Sequence, residues 1–239
     1  FDAKVVDFDQ NLPSEISAFG PDVVWPLVHG SLGEDGSLQS LLEGVGVPYV
    51  GSTPAQAMLA SNKPTAKALV GAAGLDTPGW IALPQLLFRQ LGAHNVLGMI
   101  NSSLTFPLVV KPSSGGSALG MSRAQDSSDL RSAMVDAFSY EEHVMLERFV
   151  EGRDIAVSVV DLEEGPIALP PVEVSTDDGH YDYEARYTTD ESEYFVPARL
   201  SNDEMTDVQA AAIQIHELLG LRDLSRIDFI VDDNGSFWF

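Results

Sequence analysis

Residues 106–122 read FPLVVKPSSGGSALGMS. Leu108, Val109 and Val110 form a buried-type strand that ends on Lys111, and the residues after it are almost all Gly, Ser and Ala. A lysine at a strand terminus, beside backbone able to curl closely around an anion, is a phosphate-binding arrangement. The stretch lacks the Gly-Lys-Ser/Thr ending of a P-loop, so it is another kind of nucleotide site or a solvated strand end followed by a flexible turn. Lysine scarcity weighs on that choice. Only Lys4, Lys63, Lys67 and Lys111 occur, so surface charge is carried by acids, and a lysine after three apolar residues is hard to read as decoration.

The 239 residues suffice for one large or two modest domains. A net charge of -23 and a pI near 4.2 repel nucleic-acid backbones and anionic membranes, whereas a small anion such as ATP can still be held by a few local cations and Mg2+. With no cysteine, disulfides and thiolate chemistry are excluded. No apolar run approaches the roughly 20 residues of a membrane span, and no signal peptide is legible, so a cytoplasmic location is expected. Phe1–Phe8 reads as an alternating strand already under way, which suggests a missing upstream segment.

The first part alternates strand and helix signals: a strand at Asp22–Val28, a helix N-capped by Asp35 with Leu38, Leu41, Leu42 and Val45 on one face, and a strand at Val47–Val50. This predicts a parallel sheet with helices, with a boundary near Gly51–Pro54. Next come a helix from about Pro64 to Gly74, the strand at 106–111, and a helix capped near Ser127 that buries Leu130, Ala133, Met134 and Ala137. Strands then dominate, at Val144–Val150, Asp154–Val160 and Ile167–Val174, an α+β arrangement. Residues 175–196 have no clean period and carry Tyr181, Tyr183, Tyr187, Tyr194 and Phe195; such a stretch of about 20 residues suits a lid or binding loop. A helix at about Asn202–Leu219 and strands at Leu224–Val231 and Ser236–Phe239 complete the chain.

Three further places could carry chemistry. On Leu224–Val231, Ile227, Phe229 and Val231 share one face, which leaves Arg226 and Asp228 together on the other, a pair suited to an anionic intermediate and a metal or to a plain solvent-side salt bridge. Glu147–Val150 joins one strand to the next and could present backbone groups to adenine, with Asp154 near enough to accept ribose hydroxyls; an ordinary edge connection fits the same residues. His29–Gly36 (HGSLGEDG) sits where a strand meets a helix N-terminus, the end of an open α/β sheet where ligands bind. His94, His143, His180 and His216 share no metal-ligand spacing and read as structural or surface residues.

Taken in order, HGSLGEDGSLQ, VPYVGS, NKPTAK, VVKPSSGGSALGMS, ERFVEGRD, YDYEARY and LSRIDFIV resemble the D-alanine:D-alanine ligase family of the ATP-grasp superfamily over almost the whole chain. The resemblance implies an α/β N-terminal domain (1–52), then an ATP-grasp α+β fold of two subdomains, a central one with the glycine-rich loop (53–146) and a C-terminal one (147–239), with the chain truncated at both ends. It implies ATP and Mg2+ (or Mn2+) as cofactors, D-alanine as substrate, a homodimer, and a role in peptidoglycan precursor synthesis. Lys63 and Lys111 match the phosphate-contacting lysines, and Ser113, Gly115, Gly116 and Ser117 belong to the loop that closes over them. Glu147, Arg148 and Val150 would hold adenine, and Asp154 stands where the family usually has a ribose-binding Glu. Arg226 would stabilise the acyl-phosphate and tetrahedral species, Asp228 would ligate the metal, and His29 and Glu34 would line the pocket for the first amino acid. Tyr187 resembles the mobile-loop residue that reaches Ser117, and Tyr rather than His there favours D-alanine as the second substrate.

Departures from the pattern are Arg186 for a lysine in that loop, Asn62 for the Asp before Lys63, and Ala118 for the second loop Ser. The family's Gly-rich segment with its substrate-orienting Glu has no counterpart before Phe1, and the expected Glu and Asn metal ligands would fall just past Phe239. The implied chemistry is activation of a carboxylate by ATP and attack by an amine, resting on positioning and charge neutralisation. Another ATP-grasp carboxylate–amine ligase, or a nucleotide-binding module without ligase activity, also fits these residues.

Overall fold

The structure is a computed structural model and describes residues 2–116, 118–176 and 192–239. Its first antiparallel sheet, in the order β1-β4-β2-β3, comprises β1 (Trp80–Pro84), β2 (Leu108–Pro112), β3 (Ser122–Ala124) and β4 (His143–Arg148). Four helices border this region of the chain: α4 (Pro54–Ser61), α5 (Lys63–Ala72), α6 (Gln85–Leu91) and α7 (Ala93–Ser103); α8 (Ser127–Tyr140) follows β3. Val96 and Ile100 of α7 and Leu130, Ala133, Met134 and Ala137 of α8 close over Leu108, Val110, Val144 and Leu146 of the sheet. Asp126 caps α8 by accepting from the Ser128 and Asp129 N–H groups.

A second antiparallel sheet contains β5 (Arg153–Leu162), β6 (Gly165–Ala168), β7 (Val172–Thr176), β8 (Ser192–Phe195), β9 (Leu224–Val231) and β10 (Phe237–Trp238), in the order β10-β9-β5-β7-β8 with β6 also on β5. Helix α9 (Asn202–Leu218) starts on a capping box between Ser201 and Glu204 and lays Val208, Ala212 and Ile215 on Ile155, Val157, Ile227 and Phe229. Helix α5 contributes Ala66 and Val70 to that same core. One face of α5 is thereby fixed on the second sheet, while its N-terminal turn reaches the glycine-rich loop of the first.

Several expectations are corrected here. Residues 2–8 form no strand, and Val5 is almost fully exposed. Asp22–Val28 and Val47–Val50 reduce to a single parallel bridge, Val24 to Tyr49, among the described residues. Pro26 and Pro48 lack the N–H that a longer ladder would require. The helix that follows, α3 (Ser37–Val45), is capped by Gly36 and not by Asp35, because the one-turn helix α2 (Ser31–Glu34) ends on Asp35, whose carboxylate accepts from Ser37 N–H at 2.8 Å. A helix α1 (Leu12–Phe19) was not anticipated; it packs Leu12 and Ile16 against Leu38 and Leu42. The strand expected at Ile167–Val174 is broken into β6 and β7 by the consecutive Pro170 and Pro171. Tyr194 and Phe195, expected in a lid, belong to β8, where Tyr194 pairs with Val174 and Phe195 with Glu173.

Candidate active site

The register of β2 on β4 sets Val109 opposite Glu147 and Lys111 opposite Met145, so Lys111 and Glu147 are diagonal neighbours on one face. Lys111 Nζ pairs with Glu147 Oε1, and Lys67 Nζ of α5 stands 2.9 Å from Oε2. Lys67 also donates to the Phe239 carbonyl and lies over the Phe239 ring. Both Lys67 and Glu147 are buried. Burial alone would raise the carboxyl pKa of Glu147, but the ammoniums of Lys111 and Lys67 overrule it and hold the pKa at about 2. At 2.9 Å the Lys67 ammonium makes a charge-assisted contact with Oε2. A carboxylate oxygen keeps a second lone pair, which can accept from an exocyclic amine such as that of adenine.

Lys63 opens α5 immediately after Asn62, whose side chain accepts from Thr65 N–H at 3.0 Å and so caps the helix without the carboxylate expected there. Its Nζ donates to the carbonyls of Pro112, Ser114 and Gly115 at 3.1, 2.8 and 2.8 Å. Burial, and then Lys111 beside it, lower its pKa to about 8 against the opposing pull of Glu141 and Glu147. This makes a pH prediction. Phosphate oxygens restore the charged form of Lys63, so nucleotide binding at pH 8 should take up roughly half a proton. Affinity should fall as pH rises through that value. Calorimetry in buffers of differing ionisation enthalpy measures the uptake, and Lys63→Met should remove it.

The glycine-rich loop is anchored at its start by Glu141, which accepts from both Ser114 N–H (2.8 Å) and Ser114 Oγ (2.9 Å). Ser113 is buried, donates its N–H to His143 O, and among the described residues its hydroxyl has no partner. At the far end Gly120 has φ +67 and lies against Tyr140, where a Cβ would meet the ring at 2.5 Å, so no larger residue fits. Ala118, the departure from Ser, also takes a left-handed φ of 55.

A cleft of about 480 Å³ brings three regions together: His29 and Glu34 beside α2, Ser114 and Gly115 of the loop, and Arg226 of β9. His29 Nδ1 is 3.7 Å from Glu34 Oε1, and Glu34 Oε2 is so near Gly116 that a Cβ there would stand 3.2 Å from it. Arg226 grips Asp228 bidentately, Nε to Oδ1 at 2.8 Å and the terminal nitrogen to Oδ2 at 2.9 Å. Arg148 N–H is committed to Gly79 O at 2.9 Å, and the Arg148 guanidinium lies over Trp238. Val150 lies in the irregular connection to β5, and Asp154 is half-buried on that strand opposite Ile230 and Val174. Ser117, Arg186 and Tyr187, with Tyr181 and Tyr183, lie outside the described residues. Sequence reading missed Lys67 and Glu141. Lys67 carried only its rarity and its place one helical turn after Lys63, without the strand end and glycine-rich loop that mark Lys111; Glu141 carried no signal.

Two antiparallel sheets flanked by helices, with paired lysines under a glycine-rich loop facing an arginine across a cleft, define an ATP-grasp fold. Within that class the chain belongs to the D-alanine–D-alanine ligase family. The family profile described as D-ala D-ala ligase C-terminus matches residues 69–239, and that described as D-ala D-ala ligase N-terminus matches residues 4–52. The D-alanine–D-alanine ligase of Bordetella petrii is 34% identical over 237 residues, covering 99% of this chain and 70% of the relative. The corresponding ligase of a Synechococcus species is 34% identical over 240 residues, covering 99% and 71%. Among solved structures, the VanG D-Ala:D-Ser ligase from Enterococcus faecalis superposes with a TM-score of 0.80 at 29% identity, covering 91% of this chain and 62% of that one. The D-alanine-D-alanine ligase from Coxiella burnetii gives 0.74 at 25% identity, covering 91% and 56%. The chain thus spans less than two thirds of each of these solved ligases.

Proposed function

We propose that the chain catalyses ATP-dependent joining of two D-alanines for peptidoglycan precursor synthesis, with the three units 1–52, 53–146 and 147–239 each supplying one part of the site. The observation that carries this reading is the convergence of His29 and Glu34, the glycine-rich loop and Arg226 on one cleft. Lys63 donates to the Ser114 and Gly115 carbonyls, whose residues line the cleft, and with Lys67 and Lys111 it sets three ammoniums against Glu147 and Glu141 in a chain of net charge -23.

ATP enters as a substrate. Lys63 and Lys111 hold its phosphates, Glu147 with the Arg148–Val150 connection holds adenine, and Asp154 takes the ribose. The carboxylate oxygen of the first D-alanine attacks the γ-phosphorus, ADP leaves, and an acyl phosphate forms. The amine of the second D-alanine then attacks the carbonyl, phosphate departs with the C–O bonding pair, and the amine proton is released. Arg226 holds the oxygens on which negative charge grows, a task that needs fixed donors and no protein nucleophile. Ser117, Tyr187 and Arg186 fit the closing of the site, and Tyr187 favours D-alanine as the acceptor.

Asp228 is the residue that would hold a divalent cation. Among the described residues no group of three or more His, Asp or Glu side chains is placed to bind a metal. Arg226 occupies one lone pair on each Asp228 oxygen, and the lone pairs left still fit Mg2+, which takes one or two protein oxygens and completes its shell with phosphate and water. Such an ion supplies charge neutralisation on the phosphate oxygens. The family resemblance also supports a cytoplasmic homodimer; among the described residues no helix is long and apolar enough to cross a membrane.

The VanG neighbour, a D-Ala:D-Ser ligase by its name, makes the acceptor the point to test. With D-alanine as donor, ADP release from the natural full-length chain is compared for D-alanine, D-serine and D-lactate as acceptors. D-alanine should be used best. Preference for D-serine moves the assignment to the neighbour's specificity, and ATP binding with no amino-acid-dependent ADP release overturns the ligase reading.

A further inference from the structure

His216 has no part in the chemistry above, yet it is buried, 2% exposed, on the inner face of α9 with both ring nitrogens engaged. Nδ1 lies 2.8 Å from Ser225 Oγ, and Nε2 lies 3.2 Å from Asp161 Oδ1. A carboxylate oxygen can only accept, so Nε2 carries a proton, and in the neutral ring the Ser225 hydroxyl donates to Nδ1. Asp161 is a branch point: its Oδ2 accepts from Asp223 N–H at 2.7 Å, and its own N–H donates to Asp223 O at 2.8 Å. Asp223, at φ 65, in turn accepts from Gly51 N–H at 2.7 Å, while Arg222 donates to Gly51 O at 2.9 Å. The turn from which β9 starts is therefore held from α9, from β5, and from the Gly51 segment that borders the cleft.

A serine, a histidine and an aspartate in line suggest a hydrolytic triad, but strand parity turns the Ser225 side chain toward α9 with Ile227 and Phe229, whereas Arg226 and Asp228 occupy the opposite face. Ser225 also borders the cleft beside Arg226, and its hydroxyl is engaged by His216, so the network reaches Arg226 through the strand itself. We infer that His216 is a positioning residue for Arg226: by fixing Ser225 and the turn before it, it sets where the guanidinium stands in the cleft. The inference rests on the role given to Arg226 in the proposed ligase reaction.

The test uses Ser225→Ala, His216→Leu and His216→Gln in the natural full-length chain, with D-alanine-dependent ADP release and equilibrium ATP binding as readouts. Misplacement of a charge-stabilising group lowers turnover more than binding, so Ser225→Ala should lower kcat about tenfold and leave ATP affinity within about twofold. His216→Leu should lower kcat at least as far. His216→Gln, whose amide can donate to Asp161 and accept from Ser225, should recover much of the loss. Wild-type kcat in both Ser225→Ala and His216→Leu overturns the role, as does a loss of ATP binding proportional to the loss of kcat. If His216→Leu fails to fold, Ser225→Ala decides alone. Absence of D-alanine-dependent ADP release in the wild type overturns the ligase reading and this role together, whereas wild-type turnover with unaffected variants overturns this role only.

Discussion

Replacing Lys111 by alanine is expected to reduce ADP release about a thousandfold, the scale on which preorganised charge at a transferring phosphoryl group acts. Two effects combine. The variant loses a cation at the phosphate grip, and Glu147 loses the partner on Oε1, leaving Lys67 on Oε2 and the more distant Lys63 to compensate it. Glu147 is buried, so weakening its compensation should also cost roughly 1–3 kcal/mol of stability, less than a fully orphaned buried charge because Lys67 remains. The pH dependence has a definite sign. In the wild type the Glu147 carboxyl is held at about 2, below its ordinary 4.5, so its stabilisation is complete above 4.5 and is lost as pH falls toward 2. Without Lys111 the folded-state value rises, that window narrows, and the acid-unfolding midpoint moves to higher pH. Acid titration followed by circular dichroism, beside an ADP-release assay, checks both parts. Near-wild-type turnover in Lys111→Ala would remove the basis for a phosphate grip here.

The parts of this arrangement that were readable from sequence are those governed by local periodicity. Alternation on β9 separated Ile227, Phe229 and Val231 from Arg226 and Asp228, and the structure buries the first three and exposes the pair. The apolar spacing of α8 and the N-terminal proline of α5 were legible for the same reason. Failures came where long-range pairing or proline overrode pattern. Asp22–Val28 has the apolar content of a strand, but Trp25 and Leu27 are 63% and 77% exposed, and among the described residues only Val24 finds a bridge partner. Strand formation is a property of two segments, and no reading of one segment supplies the other.

In the site, the difference between Lys111 and Lys67 is instructive. Lys111 announced itself because it ends an apolar strand before a glycine-rich loop. Lys67 lies inside a helix, where a lysine is ordinary, and its burial follows only from α5 being packed on the second sheet by Ala66 and Val70. Glu141 is less legible still: its hold on Ser114 depends on the turn between α8 and β4, 27 residues along the chain. Spacing alone gives His216 a structural or surface role, since it shares no metal-ligand pattern with the other histidines. Its two hydrogen bonds become visible only when β5 and β9 are paired, since that pairing sets Val159 opposite Ser225 and brings Asp161 to the same end.

Arg226→Ala should separate chemistry from binding. Its guanidinium is on the second sheet, whereas the lysines that grip phosphate lie on α5 and the first sheet, so ATP affinity should change by less than about threefold while kcat falls about a hundredfold or more. Stability should scarcely move. The Arg226 and Asp228 side chains are 59% and 54% exposed, and a solvent-exposed ion pair contributes at most about 1 kcal/mol. That weakness is itself informative, because two parallel hydrogen bonds at 2.8 and 2.9 Å fix the plane of the guanidinium without adding much to folding. Arg226→Lys keeps the charge but loses the planar fork, and should recover only a minor part of the turnover. Equal falls in ATP affinity and kcat/KM with kcat unchanged would instead make Arg226 an anchor for the nucleotide. ADP-release kinetics with varied D-alanine, beside equilibrium ATP binding, tells the two apart, because a group that acts on the oxyanion is felt in the transition state and hardly at all in the ground state.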